Sequence, residues 1–386
     1  MRLWPLAGAR RGVVRGVSWN HDSQPGAWDV RELLGEFRMH LKWMAATMMV
    51  VNVAAEQTVY IGTRSTEGIY RMRFDPATGA ITDLKVAGKT LNPTFLAVHP
   101  TRPLVFAVVA APEGKVSSFA VETDGSLRLL NEVSSKGQGP AHVQIDRTGQ
   151  WVSTANFGSG GVAVYKIEAD GKLSEAVDSA QHSGKGPHAA RQAGPHAHST
   201  YFSADNRTMY AADLGIDEVK AYGFDSKTGK LTAGTPLKTP AGAGPRHLAL
   251  GKKRVYVLNE ITSSVSVFEK GKLLETVSAL PDGFKGASSA AEVVIDKAEK
   301  FLYSSNRGAD TIAVFRIGAS LKKVGDVKVG KTPRGFVLSP DGRFLIAGSQ
   351  DENTIQVYKI DAKTGLFTAV WEAVKANGPI CFRFRL

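Results

Sequence analysis

Four imidazoles fall within one short stretch, His182-Ser-Gly-Lys185-Gly-Pro-His188-Ala-Ala-Arg191-Gln192-Ala-Gly-Pro-His196-Ala-His198. Neutral imidazole is the commonest protein ligand for transition metals, so the pattern raises a metal site, with Asp213 or Glu260 as an added ligand. The stretch holds no carboxylate of its own, and the reading adopted is that these histidines brace the loop or touch a substrate, with no metal. Elsewhere single charges stand in short recurring contexts: Gly244-Pro-Arg246-His247, Asn259-Glu260, Ala291-Glu292, Ser305-Asn-Arg307 and Pro333-Arg334. A carboxylate facing a closed mouth is the ordinary choice for a general base. Guanidinium groups grip carboxylate or phosphate bidentately and meet charge growing on an oxyanion. A lone loop arginine is usually a solvated or ion-paired surface residue. Chemistry follows only if the fold brings these positions together.

One short pattern recurs and supplies the frame: a β-branched residue, a spacer, a small or apolar residue and an aromatic. It reads Val116-Ser-Ser-Phe119, Val162-Ala-Val-Tyr165, Val219-Lys-Ala-Tyr222, Val265-Ser-Val-Phe268, Ile312-Ala-Val-Phe315 and Ile355-Gln-Val-Tyr358, with a weaker first copy at Ile69-Tyr-Arg-Met72. The period is about 45–50 residues, in the range of propeller arrays. Within each unit a turn with Pro opens a strand (Asn92-Pro93, Gly139-Pro140, Gly194-Pro195, Gly244-Pro245, Thr332-Pro333). A tight hairpin such as Ser339-Pro-Asp-Gly342 leads to a second apolar strand, the aromatic pattern is the third, and a polar turn leads to a fourth. The expectation is an all-β, seven-bladed propeller with four antiparallel strands per blade. Asn377-Gly-Pro-Ile380 opens a strand with no hairpin after it, while Gln57–Ile61 lacks a first strand. The chain ends should therefore pair within one blade, leaving no open sheet edge.

In such a blade the strand-opening turns and the connections between second and third strands share one mouth of the channel. Register aligns Thr94, Ala141, His198, Arg246 and Arg334, with Glu292 one place further on. The connections bring Arg64, Asn156, Asp213, Glu260, Arg307 and Gln350 to the same mouth. The interval from Tyr165 to Tyr222 is longer than the others and holds the His-rich stretch, an insertion on the face where function is usually grafted.

Composition agrees with a soluble-type core and excludes several classes. Of 386 residues, 43% are hydrophobic and 22% charged, which argues against wholesale disorder and a polytopic membrane protein. Lone Cys381 excludes an intramolecular disulfide and a cysteine zinc site. Lys+Arg number 48 against 36 Asp+Glu, for +12. The basic residues form no long run and do not interleave with aromatics, so no nucleic-acid groove is expected. The balance suits a small anionic ligand. Residues 1–55 read as a leader: a second start at Met39, then a short basic and apolar stretch to Ala55, has a signal-peptide shape and is too short to span a bilayer. Initiation at Met39 and cleavage near Ala55 would make the protein periplasmic or secreted; otherwise this is a leader on a cytoplasmic protein. The propeller is expected over 56–386.

The ordered stretches Asn156-Phe-Gly-Ser-Gly160, Arg191-Gln192, Pro195-His-Ala-His-Ser199, Asp213-Leu-Gly-Ile-Asp217, Gly244-Pro-Arg-His247, Asn259-Glu260, Ala291-Glu292, Tyr303-Ser-Ser-Asn-Arg-Gly308 and Pro333-Arg334 resemble the lactonase family of seven-bladed propellers. Bacterial 6-phosphogluconolactonase and the fungal muconate-lactonizing enzyme represent that family. The resemblance implies catalytic positions His198, Arg246, Glu260 and Arg307. It implies substrate contacts among Asn156, Arg191, Gln192, His196, His247, Glu292 and Arg334, to which Lys185 on the insertion is added as a candidate cation for an anionic substrate. Blade five departs in its hairpin, Leu250-Gly-Lys-Lys-Arg254, and the loop reads His-Ala-His where His-Pro-His is also common.

The implied reaction is hydrolysis of a sugar lactone, 6-phosphogluconolactone foremost, without a cofactor. Glu260, assisted by His198, would activate water; Arg246 or Arg307 would meet the oxyanion; Arg191, Arg334 or Lys185 would hold a phosphate. Two alternatives stand beside it: a cycloisomerase acting on an unsaturated diacid, and a non-catalytic propeller that binds protein or carbohydrate.

Overall fold

The computed structural model describes residues 55–385. The expected leader, with Met39 and all but its last residue, lies outside the described residues. Among them there are strands and turns but no α-helix, hence none long and apolar enough to cross a membrane.

The described residues form seven antiparallel sheets arranged as blades of a propeller. Their inner strands are Pro379–Arg385, Leu96–Val98, Pro140–Ile145, Ala197–Phe202, Pro245–Leu250, Ser289–Ile295 and Pro333–Leu338, blades 1 to 7 in that order. Each touches the next, and the last touches the first. Blade 1 is closed by the two chain ends: Pro379–Arg385 pairs with Gln57–Thr63, Thr58 opposite Arg385 and Ile61 opposite Phe382. Gly335 is required at this seam, because a Cβ there would collide with the carbonyl of Ile380.

Burial explains the recurring aromatic. Second strands such as Leu104–Val109 and Phe344–Ser349 are buried at every position, sandwiched between neighbouring blades. Phe119, Tyr165, Tyr222, Phe268, Phe315 and Tyr358 of the third strands are also buried, each worth about 1.5–3 kcal/mol of apolar transfer. Outer strands such as Lys272–Ser278 are largely exposed, so their sequences need only turns and alternation. In blades 4 and 7 the outer strand is broken: Lys230–Ala233 and Leu237–Lys238 both pair with Glu218–Asp225, and Phe367–Ala369 and Val374–Lys375 with Thr354–Ile360. The shortened hairpin of blade 5 closes through Gly251 N–H to the Arg254 carbonyl and is tied to blade 6 by Lys252 N–H to Glu299.

One irregularity positions the site. Inner strands of blades 3 to 7 all shift register near their start, at Pro140/His142, Ala197/Ser199, Pro245/His247, Ala290/Val293 and Pro333/Gly335. A bulge sets two residues against one and re-aims their side chains. Consecutive residues such as Arg246 and His247 are thus both buried in the ring interior.

Candidate active site

A cavity of about 350 Å³ opens at one mouth of the ring. Five arginines line it, Arg64, Arg191, Arg246, Arg307 and Arg334, with Glu260 as the carboxylate and His198 as the imidazole among the described lining residues. Strand-opening turns and second-to-third connections do meet there, as blade geometry requires. Small Thr94 and Ala141 occupy the register positions of blades 2 and 3 and leave room above them.

Glu260 is the hub. Its backbone N–H donates to the Gly244 carbonyl at 2.7 Å, fixing the connection that presents it. Oε1 accepts from Arg191 Nη2 at 2.5 Å, and Oε2 from Arg246 Nη1 at 2.5 Å, with Arg307 Nη2 at 3.1 Å. Arg246 Nε donates to the Ala291 carbonyl at 2.8 Å, while Arg307 reaches the carbonyls of Ser289 and Ala290. The start of the blade 6 inner strand therefore aims both guanidiniums. Arg246 Nη1 also donates to His198 Nε2. Arg334 contacts Gln350 Oε1 at 3.3 Å; neither it nor Arg64 has a carboxylate partner among the described residues.

These surroundings decide the charge states. Burial pushes the Glu260 carboxyl up, but the charges of Arg246, Arg307 and Arg191 outweigh it and hold it well below the usual carboxylate range. Burial, then the charges of Arg246 and its neighbours, pushes His198 well below 6.5, so it is neutral at pH 7. Burial together with Arg246 and Arg307 pushes Arg334 down to about 9 and Arg307, beside Arg246, to about 10. Charge held at that cost is relieved by an incoming anion. Glu260 thus faces three guanidiniums as their counter-ion, and the neutral His198 accepts one N–H of Arg246 through Nε2.

Of the remaining sequence candidates, Arg191 reaches the cavity from the insertion. Six others do not line it. Gln192 donates to the Leu214 carbonyl and to Asp217 Oδ1, and Asp217 also accepts from the N–H groups of Gly242 and Gly244. His196 Nδ1 bonds the Phe157 carbonyl and its ring stacks on Phe157. Asn156 Nδ2 donates to the Ser135 carbonyl. Lys185 is exposed on the insertion. His247 and Glu292 are buried and bonded to each other, Nδ1 to Oε1 at 2.7 Å. All but Lys185 are braces of the mouth rather than its lining. Asp213 is spent on His182 at 2.6 Å and on the N–H groups of His196 and Gly215. No three His, Cys, Asp or Glu among the described residues are grouped to hold a metal. Phe157, missed from sequence, supplies an apolar wall beside His198, ring centroids 5.4 Å apart. Its neighbour Asn156 was aligned by register, and one step along that connection would have found it.

The chain matches the family described as "Lactonase, 7-bladed beta-propeller" over residues 58–384. It is 33% identical to the 6-phosphogluconolactonase of Bacillus subtilis, covering 84% of this chain and 97% of that protein. It is 30% identical to the 6-phosphogluconolactonase of Erwinia tasmaniensis, covering 84% and 97%. Among solved structures, the periplasmic gluconolactonase of Pseudomonas aeruginosa superposes with a TM-score of 0.80 at 28% identity, over 86% of this chain and 99% of that one. Ring, mouth and sequence agree that the chain belongs to the lactonase family of seven-bladed β-propellers.

Proposed function

We propose that this protein hydrolyses a sugar lactone, 6-phosphogluconolactone foremost because five arginines line the cavity, and so performs the lactone-opening step of the pentose phosphate pathway. The observation behind this reading is a buried neutral imidazole hydrogen-bonded to a buried guanidinium, in a cavity with a large excess of positive charge. The names of the relatives support the same reaction class.

Chemistry follows from the groups present. The lactone carbonyl oxygen takes the Arg246 Nη1–H that His198 now accepts, which frees the Nε2 lone pair for the attacking water. His198 removes the water proton as the tetrahedral oxyanion forms, and Arg246 and Arg307 meet its charge. Loss of one such donor costs roughly 3–4 kcal/mol in comparable sites. Collapse breaks the ring C–O bond, and the imidazolium returns its proton to the leaving alkoxide. Glu260 keeps the guanidiniums aligned and prevents their mutual repulsion from opening the site. Arg334 and Arg64, without carboxylate partners, hold the phosphate; Phe157 covers a ring face. No step needs a metal or a redox cofactor.

The compartment is a separate proposal. Initiation at Met39 and cleavage near Ala55 would export the propeller, and mass spectrometry of the mature N-terminus tests it; an intact Met1 overturns it. For the reaction, acid release is measured from the lactone with and without its 6-phosphate, in the presence of a chelator. Hydrolysis faster with the phosphate is expected. Inactivity toward both lactones overturns the hydrolase reading.

A further inference from the structure

Beneath the cavity, inside the ring, lies a second layer of imidazoles. His198 and His247 lie with ring centroids 5.2 Å apart, His247 and His142 at 5.6 Å, and Phe95 and Tyr201 pack on His142 at 4.1 and 5.0 Å. All three histidines are buried, and each has one ring nitrogen with no hydrogen-bond partner among the described residues: His198 Nδ1, His247 Nε2 and His142 Nε2. Their other nitrogens fix the tautomers. Arg246 can only donate to His198 Nε2, so the His198 proton sits on Nδ1. Ionised Glu292 can only accept from His247 Nδ1, which leaves His247 Nε2 bare. The Thr200 backbone N–H reaches His142 Nδ1 at 3.4 Å, which places the His142 proton on Nε2.

The unmatched set is therefore two donors and one acceptor, which one water molecule satisfies by accepting twice and donating once. We propose that a single buried water joins His142, His198 and His247, and that Glu292 and His247 act through it as positioning residues for His198. This rests on the reading of His198 as the base. The chain runs from Glu292 through His247 and the water to His198 Nδ1–H. It holds the Nε2 lone pair toward the cavity and sets a carboxylate against the imidazolium that forms during turnover. Arg246, Arg307, Arg334 and His247 all disfavour that cation. Glu292 faces His247 and Arg383, and Arg383 lies over Phe95, so Glu292 is the negative group on the buried side of this layer.

The test uses the full chain. Glu292→Gln keeps the shape and a hydrogen-bond acceptor for His247 but removes the charge. Expected is a fall in kcat of about tenfold or more, by analogy with the loss when the outer partner of a metal-bound histidine is removed. KM should stay within about twofold of wild type, because Glu292 does not line the cavity. The acid limb of kcat should move to lower pH, because the imidazolium becomes harder to form. His247→Gln should cost a similar factor, and the double variant no more than either single one, as expected for one coupled chain. An unchanged kcat and pH profile in Glu292→Gln, or additive losses, overturns the relay. Nitrogen-15 spectra of the imidazoles in the wild-type protein give a readout independent of turnover and of variant folding: His198 protonated on Nδ1 is expected, and the opposite tautomer overturns the proposal. Wild-type protein inert toward lactones would sink the hydrolase reading alone, leaving those spectra to judge the relay.

Discussion

Arg246 Nη1 and Glu260 Oε2 meet at 2.5 Å with both side chains only 4% exposed. The same guanidinium is held by the Ala291 carbonyl and touches His198. A buried pair of this kind contributes little net stability when whole but costs about 3–5 kcal/mol when one partner is lost, because the other charge is stranded.

Glu260→Gln leaves the cavity arginines with no carboxylate among the described lining residues. Turnover should be lost, and the denaturation midpoint should fall by an amount worth about 3 kcal/mol. Millimolar inorganic phosphate should restore much of the stability by supplying the missing anion, without restoring turnover. Full activity in this variant would show that the carboxylate does not hold the guanidiniums in place.

Arg334 has no carboxylate partner among the described residues and contacts only Gln350 at 3.3 Å. If it grips the phosphate, Arg334→Gln removes one charged hydrogen-bonding group, worth about 1.5–3 kcal/mol. KM for the phosphorylated lactone should rise by about 10- to 100-fold. kcat, and all parameters for the unphosphorylated lactone, should change little. An equal loss on both substrates would move Arg334 from phosphate binding to the reacting centre.

The ring was legible because each blade repeats the same burial problem, so Phe119, Tyr165 and their counterparts recur in register. The mouth followed from counting along that repeat, which is why Arg64, Arg246, Glu260, Arg307 and Arg334 converge. What repeat counting could not supply was pairing. Arg191 meets Glu260 across 69 positions of sequence, and Gln192 meets Asp217 across 25. Motif membership placed Gln192, His196, His247 and Glu292 in the site without telling a brace from a contact. The bulge at Pro245/His247 is likewise invisible in residue order, yet it puts Arg246 in the cavity and His247 beneath it. Glu260 reads as a base from its residue type alone, and the three guanidiniums that surround it come from distant positions that the type does not announce.

Acidity should act on turnover through His198. Its folded value is depressed well below 6.5 by burial and by Arg246, so protonation disables it only below that pH. kcat should be flat between about pH 7.5 and 6.5 and fall at lower pH. Stability follows the same sign: unfolded His142, His198 and His247 bind protons near 6.5 while burial makes the folded side chains resist them, so the unfolded state gains protons first and stability falls with acidification below 6.5. Depressed Glu260 adds a second loss through and below the ordinary carboxylate range, because its stabilisation is present above that range and lost as it is protonated. Urea midpoints across this series check both steps; a midpoint that rises on going from neutral to acidic pH would contradict the assignment.

Closure of the ring makes the last residues indispensable. Pro379–Arg385 is the inner strand of blade 1 and also packs against the inner strands of blades 2 and 7. Ile380, Cys381 and Phe382 are almost fully buried, and Phe382 belongs to the same apolar cluster as Val59, Met72 and Phe344. Truncation after Val374 removes this burial at about 1.5–3 kcal/mol for each large side chain. It also leaves the inner edge of Gln57–Thr63 unpaired and uncovers the inner strands of blades 2 and 7 that pack on the lost strand. With the lost ladder hydrogen bonds included, the loss is comparable to the 5–15 kcal/mol by which domains are ordinarily stable. The truncated chain should be insoluble or protease-sensitive throughout, with no cooperative thermal transition. Adding back a synthetic peptide spanning 375–386 should restore protection if closure is the cause. A truncated chain that melts cooperatively near the wild-type temperature would show that the ring holds without its closing strand.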